Sequence, residues 1–250
     1  EFIYFNFVEK PDAYVEFPYK EGQLLEVSTT LDDITMLNVN MWLNICLQPG
    51  DSLHAKVTYD GRNYKTVEYS GTPQAVLIAT TLHKIRMSRR EAGYKANVPA
   101  ALVVLTDPIA YHKESLEEWG REKAILDEIK DDISPRVYNY LLSELDAIFL
   151  PNLITYPYAC ASFQKKQIEE CIADDYWTAL DNYQVRNDEA SLRNRNYMSF
   201  LLSYAEYMIC KKNGSDPHKF KSTQSTVSEY DEIANFYDGA LRDAALFVVL

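Results

Sequence analysis

The sequence predicts an α+β protein: a small N-terminal antiparallel β-sandwich or meander over residues 1–71, followed by an all-α helical domain over 72–250. Three observations carry that reading. From Leu37 to Tyr69, apolar residues recur at every second position and are broken by turn-forming pairs. After Gly71 the apolar spacing changes to three and four, the period of a helix packed on one side. The composition is short of glycine (8) and rich in tyrosine (19), which suits packed helices better than loops.

The central stretch is the clearest. Leu37, Val39, Met41, Leu43, Ile45 and Leu47 share one face of a single predicted strand, with Asn38, Asn40, Trp42, Asn44 and Cys46 on the other. Pro49-Gly50 turns the chain, since proline presets one turn dihedral and glycine accepts a positive φ. Leu53, Ala55, Val57 and Tyr59 continue the inward face. Asp60-Gly61 makes the next turn, and Val67 and Tyr69 carry a third strand. Upstream, Ile3, Phe5 and Phe7 alternate, as do Ala13, Val15 and Phe17, punctuated by Pro11-Asp12 and Glu21-Gly22. Leu25 and Val27 suggest one more short strand, giving about six in all, spaced as in a small sandwich or barrel.

Helices follow. The first runs from Gln74 to about Lys95, with Thr72 as N-cap and Pro73 in its first turn, and ends at Gly93 and Pro99. Ala100–Leu105 is apolar but too short to assign. Leu116, Trp119, Leu126, Ile129 and Ile133 mark a second helix, and Ser134-Pro135 opens a third with Val137, Leu141, Leu145 and Ile148 on one face. Residues 151–157, bounded by prolines, read as a connector. Phe163, Ile168, Cys171 and Ile172 open a helix towards Tyr183, and Leu192 to Met208 marks a long one with Lys211-Lys212 in its last turn, where cations suit the helix dipole. Residues 213–227 read as a polar loop, and a final helix begins near Ser228.

The totals narrow the function. Of the residues, 47% are hydrophobic and 25% charged, the ordinary globular balance, and the net charge is −12. Nucleic-acid binding draws mainly on Lys and Arg, so neither nucleic acid nor an anionic membrane surface is an expected partner. The four cysteines, Cys46, Cys160, Cys171 and Cys210, form no C-x-x-C pair, and whether any are bridged stays open. The four histidines are scattered without ligand spacing, so neither a metal nor a cofactor is expected. The acidic pairs Glu117-Glu118, Asp131-Asp132, Glu169-Glu170 and Asp174-Asp175 diverge on a helix and read as solvated faces. No Walker loop, dinucleotide fingerprint or nucleophile elbow occurs, so no catalytic residue is assigned. Cys160 or Cys171 as a nucleophile is the one enzymatic option, and the acidic residues around Cys171 argue against it by raising its pKa.

Two surfaces are candidates for a ligand or partner. One is the polar-aromatic strand face with Asn40, Trp42 and Asn44; the other is the tyrosine-rich helical half, with Tyr176, Trp177, Tyr204 and Tyr207 foremost. Aromatic faces pack and hydroxyls hydrogen-bond, so either surface suits a peptide or a glycan. Helix–helix packing is the competing explanation for the tyrosines.

A family resemblance rests on four stretches: the β-meander, the segment Gln48-Pro49-Gly50-Asp51-Ser52-Leu53, the step Tyr69-Ser70-Gly71 into the first helix, and Phe236-Tyr237-Asp238-Gly239-Ala240-Leu241-Arg242-Asp243 near the end. Together they resemble the N-terminal, non-catalytic region of TlpA/ResA-like thiol-disulfide oxidoreductases of the Gram-negative cell envelope. The family's W-C-x-x-C motif has no counterpart here, so none of its catalytic residues is carried over. The resemblance implies a periplasmic or envelope address, a removed N-terminal signal or anchor as the sole membrane link, and a thioredoxin-like domain downstream as partner. The apolar ends, Phe2 to Phe7 and Ala244 to Leu250, lead us to expect a piece of a longer chain. The expected role is an accessory or recognition region that aids substrate docking or homodimerisation. The alternative is a stand-alone envelope protein binding peptide or glycan through its tyrosine-rich surfaces.

Overall fold

The architecture is α+β, with six strands followed by helices among the described residues. A computed structural model describes residues 2–18, 20, 22, 24–40, 43–60, 63–104, 107–212 and 226–249. The chain divides into two units, one of residues 1–88 and 125–137, the other of residues 89–124 and 138–250.

In the first unit, β1 (Phe2–Phe7), β2 (Lys10–Pro18), β3 (Thr35–Val39) and β4 (Leu43–Leu47) form an antiparallel sheet in the order β2-β1-β3-β4. A separate hairpin pairs β5 (Leu53–Asp60) with β6 (Asn63–Gly71). The alternating face is where expected. Val39, Leu43 and Ile45 form a buried cluster, and Ile3, Phe5, Leu37, Leu47, Leu53, Ala55 and Tyr69 pack against it, so both sheets share that core.

The strand inventory differs from expectation. Leu37–Leu47 is a hairpin, not one strand: Val39 pairs with Leu43, and Leu37 with Ile45. Asn40 begins the bend with φ +50, a left-handed value that Asn tolerates better than most residues. Pairing residues four apart keeps the parity of the pattern, so both arms present their apolar residues to one side and the alternation runs through the bend unbroken. The opposite face is only partly polar, for Met36 and Cys46 are cross-strand partners and both are fully buried. The first turn falls at Val8-Glu9, and β2 runs through Pro11-Asp12, which a proline on an edge strand permits. Leu25 and Val27 lie in irregular chain.

The handover to helix is tied to the Pro49-Gly50 turn. Asp51 accepts from the Gln48 N–H (2.8 Å) and from the Thr72 hydroxyl (3.0 Å), and the Thr72 N–H donates to Ser52 O (2.8 Å). Gly71 has φ +145, and a Cβ there would lie 2.0 Å from Ser52 O. Thr72 thus ties its hydroxyl to the turn while its carbonyl accepts the Val76 N–H (3.0 Å) at the start of the helix. Helix α1 (Pro73–Ala92) starts here and ends at Gly93, φ +69, where Tyr94 N–H reaches back to Arg89 O (3.2 Å).

In the second unit and its flanks come α2 (Val98–Val103), capped by Asn97, α3 (Pro108–Asp127) and α4 (Pro135–Gln164). Ser134 caps α4 through Val137 N–H (3.2 Å). Residues 151–157 lie inside α4, so no connector exists there. The stretch from Ile168 to Tyr183 holds only a 3₁₀ turn, Ile168–Glu170, and α5 (Thr178–Asp181), because Phe163 and Ile168 are off the helical spacing. α6 (Glu189–Arg193) and α7 (Arg195–Lys212) replace the single long helix, and α8 (Thr226–Phe236) and α9 (Gly239–Phe247) the final one. The expected polar loop lies, from 213 to 225, outside the described residues. α7 packs against α6, α8 and α9 around Phe200, Leu201, Tyr204, Ile233 and Ala245.

Gly71→Ala is expected to destabilise the protein by about 2–4 kcal/mol, because the methyl collides with backbone and the dihedral is strained. Gly50→Ala, at φ +87 with open space around the position, is expected to cost only about 1 kcal/mol. Urea midpoints at unchanged slope measure both.

Candidate functional site

The strand-face residues separate on inspection. Asn40 is a joint of the sheet: its N–H donates to Tyr4 O (2.9 Å) and its Oδ1 accepts from Tyr4 N–H (2.7 Å). Asn44 is half-buried opposite Asn38, whose Oδ1 is buried with no partner among the described residues. Trp42 lies outside the described residues.

The helical aromatics come together as an interior chain of rings. Tyr176 meets Trp177 at 4.8 Å between centroids, Trp177 meets Tyr207 at 5.3 Å, and Tyr207 meets Tyr204 at 6.4 Å. Tyr176, Tyr204 and Tyr207 are buried and Trp177 is half-buried. Each hydroxyl is committed: Tyr204 donates to Leu180 O (3.2 Å), Tyr207 to Asp181 Oδ1 (2.8 Å), and Tyr176 to Leu153 O (3.1 Å). The last bond has a sequence cause. Pro157 lacks the N–H that would bond Leu153 O one turn back in α4, and the Tyr176 hydroxyl takes that place.

Sequence spacing did not single out two buried ion pairs. Asp146 is fully buried and accepts from Arg186 Nε (2.7 Å) and the Tyr183 hydroxyl (2.8 Å). The Tyr183 oxygen lies 3.1 Å from that of Tyr197, which receives the Arg186 N–H (2.7 Å). Burial raises the Asp146 pKa, opposed by Arg186, Tyr183 and Trp119, and burial pushes Tyr197 up to about 12. Glu122 is likewise fully buried and takes a two-pronged bond from Arg89, Nε at 2.6 Å and Nη2 at 2.5 Å, with the guanidinium 5.7 Å from the Phe149 ring centroid. One turn earlier on α3, Glu118 is buried and paired with Arg121. The Glu117-Glu118 pair is thus only half solvated, whereas Asp131, Asp132, Glu169, Glu170, Asp174 and Asp175 are exposed as expected. The available signal was charge on an apolar stripe: Asp146 continues the Leu142, Leu145, Phe149 face of α4.

Beside Arg89 opens a shallow groove of about 480 Å³. Its polar lining is Arg89, Asn97, Asn152, Asn196, Ser199 and Ser203. Three asparagines already spend one end of their amides: Asn97 accepts from Ala100 N–H (3.2 Å), Asn152 donates to Ile148 O (2.7 Å), and Asn196 donates to Glu144 (3.0 Å). The Asn97 NH₂ and the Asn152 and Asn196 carbonyls are the complementary ends. Amide donors and acceptors of this kind match the backbone of an extended peptide. The Arg89 charge is committed to Glu122, which disfavours an anionic ligand. Ser199 and Ser203 donate to carbonyls of their own helix, Arg195 O (3.1 Å) and Ser199 O (3.4 Å), so the groove suits binding rather than hydroxyl attack.

Burial pushes the Cys160, Cys171 and Cys210 thiols up, with acidic neighbours adding to the shift. His83 and His112 are pushed down, chiefly by burial; Arg86 adds to the effect on His83, while Asp175 opposes it on His112, whose ring lies 4.3 Å from that of Tyr176. Among the described residues no three His, Cys, Asp or Glu gather as metal ligands, and no helix is long and apolar enough to cross a membrane. No family model matches the chain, and no curated protein or solved structure is detectably similar to it.

Glu122→Ala strands a buried guanidinium and is expected to cost about 3–5 kcal/mol, whereas exchanging Arg89 and Glu122 together for Met and Leu costs much less; chemical denaturation of both variants measures the contrast. Acid is expected to destabilise the fold through the histidines. Their folded pKa values lie below the unfolded ones, so as pH falls through about 6.5 the unfolded chain takes up protons that the native state refuses. The denaturation midpoint falls between about pH 7.5 and pH 5.5, and substituting both with Gln flattens that slope.

Proposed function

We propose that the chain is a non-catalytic accessory or recognition region of a cell-envelope, thioredoxin-like thiol-disulfide oxidoreductase, aiding substrate docking or dimerisation. The observation that carries this reading is the junction of Gln48–Leu53 with Tyr69–Gly71. These two segments, far apart in the chain, carry the family resemblance, and they are locked together by Asp51, Ser52, Gly71 and Thr72. Residues that make one joint are a better basis for a resemblance than two short motifs taken singly. The amide-lined groove supports the docking role, because a substrate of such an enzyme is itself a polypeptide. The raised thiol pKa values support a non-catalytic role, since attack on a disulfide needs the thiolate.

Translation of the parent gene past the Leu250 codon tests the reading: an in-frame thioredoxin-like segment with C-x-x-C is expected, and a frame that closes without one overturns it. In the joined protein, Ser199→Trp with Ser203→Trp is expected to raise KM for a disulfide-bonded protein by roughly tenfold, the scale of a 1.4 kcal/mol loss, and to leave reduction of a small disulfide unchanged.

A further inference from the structure

We infer that Trp177, Tyr207 and Asp181 form a one-electron relay: a small oxidising radical is quenched at Trp177, and Tyr207 replaces the lost electron as its phenolic proton passes to Asp181. Two helical steps build the arrangement. Trp177 and Asp181 stand four apart at α5, joined by the Asp181 N–H on Trp177 O (2.9 Å). Tyr207 and Lys211 stand four apart on α7. The two pairs face each other. The Trp177 and Tyr207 ring centroids are 5.3 Å apart. The Tyr207 hydroxyl donates to Asp181 Oδ1 (2.8 Å), and Lys211 pairs with the same oxygen. Trp177 is half-buried and Tyr207 is buried, so an oxidant in water meets the indole first.

Tyr207, unlike its neighbours Tyr176 and Tyr204, is placed to give up a proton. Tyr176 is closer to Trp177, at 4.8 Å, but its hydroxyl donates to Leu153 O, and a backbone carbonyl does not take a proton near neutral pH. Tyr204, 6.4 Å beyond Tyr207, donates to Leu180 O in the same way, so the relay ends at Tyr207. A carboxylate at hydrogen-bond distance is the acceptor that the transfer needs. Burial, with the Asp181 bond and charge beside it, pushes the Tyr207 pKa up, so the phenol keeps its proton until its electron leaves.

The oxidant takes one electron from the indole and is reduced to its anion, and the indole N–H proton goes to water. An electron then crosses from Tyr207 to Trp177. The phenol O–H bond breaks, its proton moves to Asp181 Oδ1, and the indole recovers a proton from water. One electron has passed from the phenol to the oxidant, and a phenoxyl radical remains beside a protonated Asp181. The inference rests on the placement of these side chains and is independent of the proposed function.

Pulse radiolysis of the folded chain with the azide radical, which takes electrons from indoles in preference to phenols, follows both protein radicals by their absorption. The expected result is a first-order loss of tryptophan radical matched by growth of phenoxyl radical, at a rate that does not change with protein concentration. Trp177→Phe and Tyr207→Phe each remove the fastest such phase. Asp181→Asn slows it by about a hundredfold, the lower end of what a positioned proton acceptor supplies. On the unsubstituted chain the phase is slower in heavy water, because the proton moves with the electron. A fast phase that survives Tyr207→Phe, an unchanged rate in Asp181→Asn, a rate that rises with protein concentration, or equal rates in light and heavy water overturns the inference. The last two readings use the unsubstituted chain, so the answer does not depend on whether the variants fold.

Discussion

A single close approach, the Gly71 backbone against Ser52 O, governs how the β half passes into helix. With no side chain at 71, the strand ends in contact with the preceding turn, and Thr72 can bond Ser52 and Asp51 at once. The start of α1 is thereby tied by tertiary bonds to the turn that precedes β5. Each participant has a conformational reason for its identity: Pro49 and Gly50 for the bend, Asp51 for two acceptor positions, Gly71 for space.

The helical half solves a different problem, the burial of polar groups on the packed faces of its helices. Its tyrosines bury their rings and place their hydroxyls on backbone carbonyls: Tyr176 on Leu153 O, which Pro157 leaves without its helical donor, Tyr204 on Leu180 O, Tyr237 on Leu201 O. Asp146 and Glu122 each hold a guanidinium in low-dielectric surroundings, where a matched pair is tolerated and a broken one is not. The Arg89–Glu122 pair ties α1 to α3, the Arg186–Asp146 pair ties irregular chain to α4, and the first leaves the Arg89 groove close to neutral.

Much of this was legible in the residues. The change of period at Gly71, the Ser134-Pro135 start and the Gly93 stop each have a local cause and survive in the structure. What was not legible has non-local causes. Pro151 and Pro157 read as helix breakers because the Tyr176 hydroxyl that repairs the second lies on another element. Glu118 read as solvated because its cation, Arg121, lies around the helix, and Glu122 drew no reading because Arg89 lies elsewhere on the chain. The groove is made from the end of α1, the residues just before α2, α4 and α7, and no spacing within one segment could announce it. Of the candidate surface residues, Asn40, Tyr176, Tyr204 and Tyr207 stand out by composition, and each holds a defined internal bond.

The bend at Asn40 also limits where this hairpin can change in length. Residues opposite one another across an antiparallel pair share a side whatever the loop between them, so a residue gained or lost in the bend is absorbed there and leaves Leu37 with Ile45, and Val39 with Leu43, facing the core. A single residue added inside β3 or β4 instead moves the apolar residues beyond it off that side unless a bulge takes it up. Length variants should therefore collect in the bend and be scarce in the strands, whatever the protein binds.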